Sequence, residues 1–256
     1  MLYKEISLLI THYNRSQSLE HLLLSLEEKQ ISFNEIVVSD DGSKKEHLDK
    51  LKQLKDRFNY KLVCTEKNKG LANNINKGQR AVTSPYTLYI QEDFIPTDKF
   101  KKCLTDGLSL MNENPELDMV RFYTYRMYPY LKPVKYGFYE MKFNFWYPSY
   151  WQFQYYSDHP HLRRSNFLKK FGEFKEGIHS DKAEFKMSIS FLQKKGKALI
   201  HEDYKGIFIQ ENTDDEPSQV SRKKIRKYFQ LSNSFPVTII RSIYRFIKFR
   251  LQYLFS

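Results

Sequence analysis

Two spacings of apolar residues alternate along the first hundred positions of the chain. Residues 5–13, EISLLITHY, form a nearly continuous apolar run suited to a strand buried on both faces. In SQSLEHLLLSLEEKQ (16–30), Leu19, Leu22, Leu23 and Leu26 recur at helical spacing behind a candidate cap at Ser16 or Ser18. The pair then repeats. FNEIVVSDDGS (33–43) reads as a strand ending in a polar turn at Gly42, and KKEHLDKLKQLKDRF (44–58) as a helix with Leu48, Leu51, Leu54 and Phe58 on one face. YKLVCTE (60–66) predicts a third strand, GLANNINKGQRAV (70–82) a third helix and SPYTLYIQED (84–93) a fourth strand. Strands that alternate with helices pair in parallel through right-handed crossovers, so the expected class is α/β, a Rossmann-like mixed sheet flanked by helices. Beyond Phe100 the pattern loosens into an aromatic-rich region (122–156), a helical segment near 183–195 and the strand-like KALIHEDYKGIFIQ (197–210).

In such sheets ligands sit at the carboxyl ends of the strands. Thr11–Tyr13, Asp40–Asp41 and Glu92–Asp93 each close a predicted strand, so all three should face one crevice. Adjacent carboxylates such as Glu92 and Asp93 repel each other, and the pair is most easily kept where a divalent cation neutralises it. Hard oxygen ligands suit Mg2+ or Mn2+, which typically take one or two carboxylates together with substrate phosphates. Taken alone, a Glu-Asp pair would merely open a solvated loop. Asp40 is expected to shape its turn, as Asp often does.

Composition adds a core and a tail. Hydrophobic residues make up 41% of 256, enough for a sizeable core. Cys64 and Cys103 lie too far apart for a local metal knuckle, and one disulfide would be a weak framework at this length, so a reducing compartment is expected. The opening apolar run is too short for a signal peptide, which predicts a cytosolic body. The formal net charge is +12, and nine of the cations fall between Pro217 and Ser256, a segment with no Asp or Glu. From Val237 to Phe255, Arg241, Arg245, Lys248 and Gln252 recur at spacings of four, three and four, against an apolar side carrying Phe235, Ile239, Ile240, Ile243, Phe246, Ile247, Leu254 and Phe255. Four cations in so short a stretch argue for an amphipathic surface helix over a membrane span. With SRKKIRKYF (221–229) upstream, the expected partner is an anionic lipid surface, placing the protein peripherally at the inner face of the cell membrane. Packing of the helix on the body or on a sister subunit in a homodimer, and nucleic-acid binding, are the alternatives; nucleic acid is not expected. The organisation predicted is a main body over 1–216, dividing near residue 100, and the basic tail over 217–256.

The strand-end motifs resemble the inverting family 2 glycosyltransferases of the GT-A fold. ISLLITHYNRS is similar to that family's opening strand and Tyr-Asn-Arg turn, and EIVVSDDGS to its strand with Asp-Asp-Gly-Ser. NKGLANNINKGQRAV is similar to its Asn-x-Gly…Asn-x-Gly helix through Asn68, Gly70, Asn76 and Gly78, with Ile75 where Arg is usual. YIQEDF takes the place of its Asp-x-Asp element, with Gln91 for the first Asp. The resemblance implies a nucleotide-sugar donor, with UDP as the default. Thr11, Tyr13, Arg15, Asp41, Asn76, Glu92 and Asp93 would bind it: Tyr13 by stacking on the base, Asp41 by accepting hydrogen bonds, Asp93 by ligating Mn2+ or Mg2+. It further implies a catalytic domain over 1–216 with a nucleotide-binding half (1–100) and an acceptor half (101–216), and a glycan or lipid-linked acceptor, in polysaccharide or glycolipid synthesis.

Inverting transfer needs a carboxylate base for the acceptor hydroxyl. DKAEFKMSISFLQKKGKAL (181–199) is similar to the segment that supplies it in the family, and counting back from Gly196-Lys197 gives Glu184, with Asp181 as the alternative. Acidic residues at a helix start also interact favourably with its dipole and need no catalytic role. YYSDHPHLRRSNF (155–167) is the other dense polar cluster. His161 and Arg163, two apart in an extended segment, are expected on the acceptor together with Trp151, and His201 is a candidate late metal ligand. A nucleotidyltransferase is disfavoured because THYNRSQS (11–18) has no glycine, and a dinucleotide oxidoreductase because G-x-G-x-x-G is absent. A binding protein that kept the fold and lost the chemistry is the remaining alternative.

Overall fold

The computed structural model describes residues 1–211 and 235–255, with side chains from 241 onward in the last segment. The buried run predicted at 5–13 becomes β1 (Leu2–His12), the axis of a nine-stranded sheet in the order β3-β2-β1-β4-β9-β6-β10-β8-β7. Around it lie β2 (Ser32–Asp40), β3 (Lys61–Cys64) and β4 (Tyr86–Gln91), all parallel, joined by α1 (Ser16–Glu28), α2 (Lys45–Phe58) and α3 (Leu71–Ala81). Every helix and strand expected before residue 93 is present, because each had a face to bury. Leu8 and Ile10 point to α1 and α2, while Leu9 points with Ile75 to the opposite layer. Gly78 lets α3 lie close on the sheet: a Cβ there would stand 2.5 Å from Leu9 Cδ1 and 2.9 Å from Ser39 Cβ.

The second half contains α4 (Phe100–Glu113), which leads to β6 (Leu117–Arg121), β7 (Leu131–Pro133), β8 (Phe138–Met141), a 3-10 turn (Tyr150–Phe153) and β9 (His161–Arg164). Then come α5 (Phe167–Phe171), α6 (Ser180–Gln193) and β10 (Lys197–His201). The strand-like run 197–210 splits in two, since residues 202–207 turn away and β11 (Phe208–Gln210) pairs antiparallel with β5 (Phe94–Pro96) in a separate small sheet. β9 is inserted antiparallel between β4 and β6, with Tyr89, His161 and Arg121 side by side in register. Its amino end therefore lies at the carboxyl edge of its parallel neighbours. That reversal brings residues from the second half to the edge where the first half ends its strands.

The last helix, α7 (Phe235–Phe255), packs on α6 and the 3-10 turn. Phe249 meets Phe185 at 4.4 Å between ring centroids and Tyr253 meets Phe143 at 5.2 Å, while Gln193 Nε2 donates to the Tyr253 carbonyl at 2.6 Å. Arg245 Nη1 donates to Tyr150 Oη at 3.1 Å, and Arg250 Nη2 to the Phe145 and Tyr147 carbonyls at 2.8 Å each. The expected cationic stripe is thus divided: Arg245 turns toward the body, as does Arg250 from outside the stripe, where a hydroxyl, carbonyls and rings receive them, while Lys248 is exposed. The linker and basic run expected between 212 and 229 lie outside the described residues. No helix among the described residues is long and apolar enough to cross a membrane.

Candidate active site

Thr11 pairs in register with Ser39 on one side and Gln91 on the other, and the Asp41 amide donates to the His12 carbonyl at 3.1 Å. Asp41 and Glu92-Asp93 therefore flank the carboxyl end of β1 on one edge of the sheet. Asp40, 0% exposed, builds the turn. Its Oδ2 accepts from the Gly42 and Ser43 amides at 3.0 Å each, and its Oδ1 accepts from Ser43 Oγ and pairs with His12 Nδ1 at 2.7 Å. His12 Nε2 accepts the Arg15 amide at 3.2 Å, so the proton sits on Nδ1 and points at Asp40. Burial alone would raise the Asp40 carboxyl, but these hydrogen bonds bring it below the ordinary carboxylate range. A group held low in the folded state adds stability at neutral pH and loses it as pH falls through its titration. Asp40→Ala should cost about 3 kcal/mol in urea unfolding at pH 7 and noticeably less in acid, because it strands two amides and a histidine.

Asp41, 3% exposed, accepts from the Lys69 amide at 2.9 Å through Oδ1 and from the Gly70 amide at 2.8 Å through Oδ2. It fastens the loop before α3 to the sheet edge, and burial raises its carboxyl in spite of those two amides. Thr11 Oγ1 bonds Tyr89 Oη at 3.1 Å, and Tyr13 stands half-buried just beyond β1. Asn76 is fully buried. Its amide is committed to the Phe174 backbone, donating to the carbonyl and accepting from the N–H at 2.9 Å each, so where the resemblance implies a donor contact the structure shows a staple between α3 and the loop after α5.

A guanidinium stands beside the repelling pair. Arg15 Nη1 lies 3.2 Å from Asp93 Oδ2 and 3.8 Å from Glu92 Oε1. Its Nη2 donates to the Glu211 carbonyl at 3.1 Å, and Gln210 Nε2 donates to Asp93 Oδ2 at 2.9 Å. The strand β11 and the residue after it thereby lie across the carboxylates. Asp93 Oδ1 is buried and has no hydrogen-bond partner. Such an atom fits a divalent ion that takes a single carboxylate oxygen and draws its other ligands from phosphate and water. His201 is not part of that arrangement. Its Nδ1 accepts the Asp203 amide at 3.0 Å, its Nε2 faces Cys103 Sγ at 3.7 Å and its ring packs on Phe138. No group of three His, Cys, Asp or Glu suited to a metal occurs among the described residues.

The polar cluster 155–167 differs most from expectation. His161 and Arg163, expected on an acceptor surface, are both 0% exposed. Arg163 Nε and Nη2 donate to Gln79 Oε1 at 3.1 and 2.6 Å, with the guanidinium over the Tyr89 and Phe167 rings. His161 donates from Nδ1 to the His159 carbonyl at 2.7 Å, and burial followed by the Arg163 charge holds it neutral. Both are in the middle of the sheet because β9 is an interior strand.

The residue that sequence reasoning passed over is Asp158. It precedes β9 and so stands at the carboxyl edge. It is 8% exposed, its Oδ1 has no hydrogen-bond partner, and its amide donates to Glu184 Oε1 at 3.4 Å. Glu184 comes from the early part of α6. Part of its side chain reaches the surface, but the carboxylate is withdrawn from water, and burial followed by the Asp158 charge raises it well above the ordinary range. Asp158 is raised as well, by burial, against the pull of Tyr156 and Arg163. Arg121, buried on β6, is the cation facing Glu184. Asp181, by contrast, is exposed at the helix start beside His179. The two carboxylate groups are linked by contacts: Asp93 to Gln210, Gln210 Oε1 to Tyr125 Oη at 2.6 Å, and Tyr125 to the His159 ring at 4.5 Å. Trp151 stacks under Arg126 at 4.4 Å and lines a cavity of about 410 Å3 with Tyr125, Met127, Pro129 and Tyr204.

A mixed sheet with this strand order, carboxylates at its central carboxyl edge and a second half returning to that edge defines the GT-A class of fold. Residues 7–172 match glycosyl transferase family 2, and the chain belongs to that family. It is 28% identical over 115 residues to a poly-beta-1,6-N-acetyl-D-glucosamine synthase of Staphylococcus epidermidis, covering 45% of this chain and 27% of that one. Among solved structures it resembles S. aureus TarS 1-349 in complex with UDP-GlcNAc, with a TM-score of 0.60 at 18% identity over 89% of this chain and 65% of that one. It also resembles the mannosyltransferase PcManGT of Pyrobaculum calidifontis in complex with GDP-Man and Mn2+, with a TM-score of 0.55 at 13% identity over 79% and 56%. The chain thus spans about a quarter of the synthase and about two thirds of TarS 1-349.

Proposed function

We propose that the protein is an inverting glycosyltransferase that moves a sugar from a nucleotide diphosphate donor, UDP-sugar by default, to a hydroxyl of a glycan or lipid-linked acceptor. The observation that carries this reading is the meeting, on one sheet edge, of two unlike carboxylate groups: Glu92-Asp93, beside the Arg15 guanidinium, and Asp158–Glu184, withdrawn from water. The first suits a diphosphate and a divalent cation; the second suits a proton acceptor. Tyr13 would lie on the base, Thr11 and Glu92 near the ribose, and Arg15 near the departing diphosphate. Asp93 would hold Mn2+ or Mg2+ through Oδ1, and the ion would supply charge neutralisation of the diphosphate. In the reaction the acceptor oxygen bonds to the anomeric carbon, the bond from that carbon to the diphosphate oxygen breaks with its electron pair, and Glu184 takes the hydroxyl proton. Trp151 and Arg126, lining the neighbouring cavity, would offer the acceptor sugar a flat aromatic face.

Arg15 beside Asp93 favours one other reading, a binding protein in which a guanidinium has replaced the metal. Thermal melts with UDP, GDP, dTDP and CMP, with and without Mn2+, followed by release of UDP from UDP-sugars, separate the two. Melting raised by one nucleotide and further by Mn2+, with turnover, is the expected result. Stabilisation by nucleotide that ignores Mn2+, with no turnover of any sugar donor, would leave the binding protein.

A further inference from the structure

The outer face of α7 repeats apolar residues where a packed surface helix would carry charge. Ile243 (54% exposed), Ile247 (53%), Leu251 (50%) and Leu254 (56%) follow at intervals of four, four and three, flanked by Tyr244 and by Phe255 at 82%. That spacing is one stripe along the helix, opposite the side that carries Phe249 and Tyr253. Beside the inner face, the loop held by Arg250 through the Phe145 and Tyr147 carbonyls presents Trp146, 81% exposed, from between those two residues. An outward apolar stripe on α7, together with an exposed tryptophan on the loop that α7 holds, makes a partner surface.

We propose that this face of α7 lies in the interfacial layer of an anionic lipid bilayer, its axis in the membrane plane and the catalytic body held on the aqueous side. Charge decides between a bilayer and a second copy of the chain. The segment from Pro217 onward holds nine cations and no Asp or Glu, so two copies meeting through this face would bring like charges together. An anionic surface takes the same charges favourably and accepts the apolar stripe among its acyl chains. Lys248, on the outward side, and Arg241, half-exposed, are placed to reach headgroup phosphates; Arg245 and Arg250 bind α7 to the body. The helix is 21 residues long but carries four cations, and no helix among the described residues is both long and apolar enough for a span, so it lies on the bilayer and does not cross it. The docking also reaches the proposed base: Phe249 stacks on Phe185, the residue after Glu184, so the membrane side of α7 and the catalytic side of α6 are one helix contact apart.

The test needs no turnover and is independent of the proposed reaction. Full-length protein is floated with vesicles of phosphatidylcholine alone and of phosphatidylcholine mixed with phosphatidylglycerol, alongside an Ile247→Asp/Leu251→Asp double variant. Both substituted positions are exposed, so an unchanged melting curve shows that the variant is folded. A Trp151→Phe protein keeps Trp146 as its one tryptophan and reports whether that ring enters lipid. Expected are flotation with the anionic vesicles, binding about tenfold weaker to neutral ones, loss of flotation in the double variant and a blue shift of Trp146 emission. Equal flotation of parent and double variant overturns the proposal, as does no flotation of either. A dimer in sedimentation that the double variant abolishes, without flotation, assigns the face to a second copy and overturns it too.

Discussion

Glu184→Gln protein is expected to bind UDP-sugar with the parent's affinity and to transfer the sugar about 1000-fold more slowly, within the range that loss of a positioned base produces. Quench-flow or coupled release of UDP, set beside calorimetric binding, separates the two quantities. Gln keeps the shape of the side chain and can still accept from the Asp158 amide, so folding should be spared. The pH profile carries a second expectation. Glu184 is raised by burial and by the neighbouring Asp158 charge, and a base must be deprotonated to act, so activity should climb with pH toward and above neutrality. Asp158→Asn removes the repelling charge, and the acid limb of the profile should then move to lower pH. If Asp158 served only to hold the loop, the limb would stay where it is. Because both carboxyls are raised in the folded protein, each contributes stability below its ordinary titration range that is lost as pH rises through the folded one. Glu184→Gln should therefore flatten the decline of melting temperature between acid and mildly alkaline pH.

The second large effect is expected at Asp93. Asp93→Ala should lower transfer at least about 100-fold and abolish any gain in UDP affinity from added Mn2+, since the carboxylate that would hold the ion is gone. Isothermal titration of UDP with and without Mn2+ measures the second quantity directly. The same substitution removes the counter-ion of Arg15 at 3.2 Å, leaving Glu92 as that guanidinium's remaining carboxylate neighbour here. A retained Mn2+-dependent increment in Asp93→Ala would mean that the ion is held elsewhere.

The sequence made the first half legible because its candidate site residues sit at punctuation. Thr11–Tyr13, Asp40–Asp41 and Glu92–Asp93 each follow a run of buried apolar residues, and a strand that ends in polar residues announces the edge at which ligands gather. Asp40 could be read as a turn former from its neighbours alone. The second half hid its roles because they depend on where a strand is inserted. His161 and Arg163 look like a ligand-binding pair in sequence, but β9 enters the sheet between β4 and β6, and an interior strand buries side chains on both faces. Their polar groups are satisfied by Gln79 and by the His159 carbonyl, which lie far from β9's own pattern or invisibly in the backbone. Asp158 is the converse case: one carboxylate in an aromatic stretch carries no periodic signal, and only the antiparallel entry of β9 brings it to the carboxyl edge. In α7 the helical period was readable, yet the choice of inner face was made by partners the period does not encode, the Phe185 ring and the carbonyls of 145 and 147.

β9 also orders the assembly of the molecule in time. β1 to β4 can pair as soon as residue 91 has emerged, through crossovers of ordinary length. β6, complete by residue 121, has no neighbour in that early sheet, because the strand that joins it to β4 spans residues 161–164. The growing chain must therefore hold a finished first half with a bare β4 edge until some seventy further residues have been made. The slow step in refolding should then be the capture of β9 by that waiting edge, a long-range closure on which every strand beyond it depends.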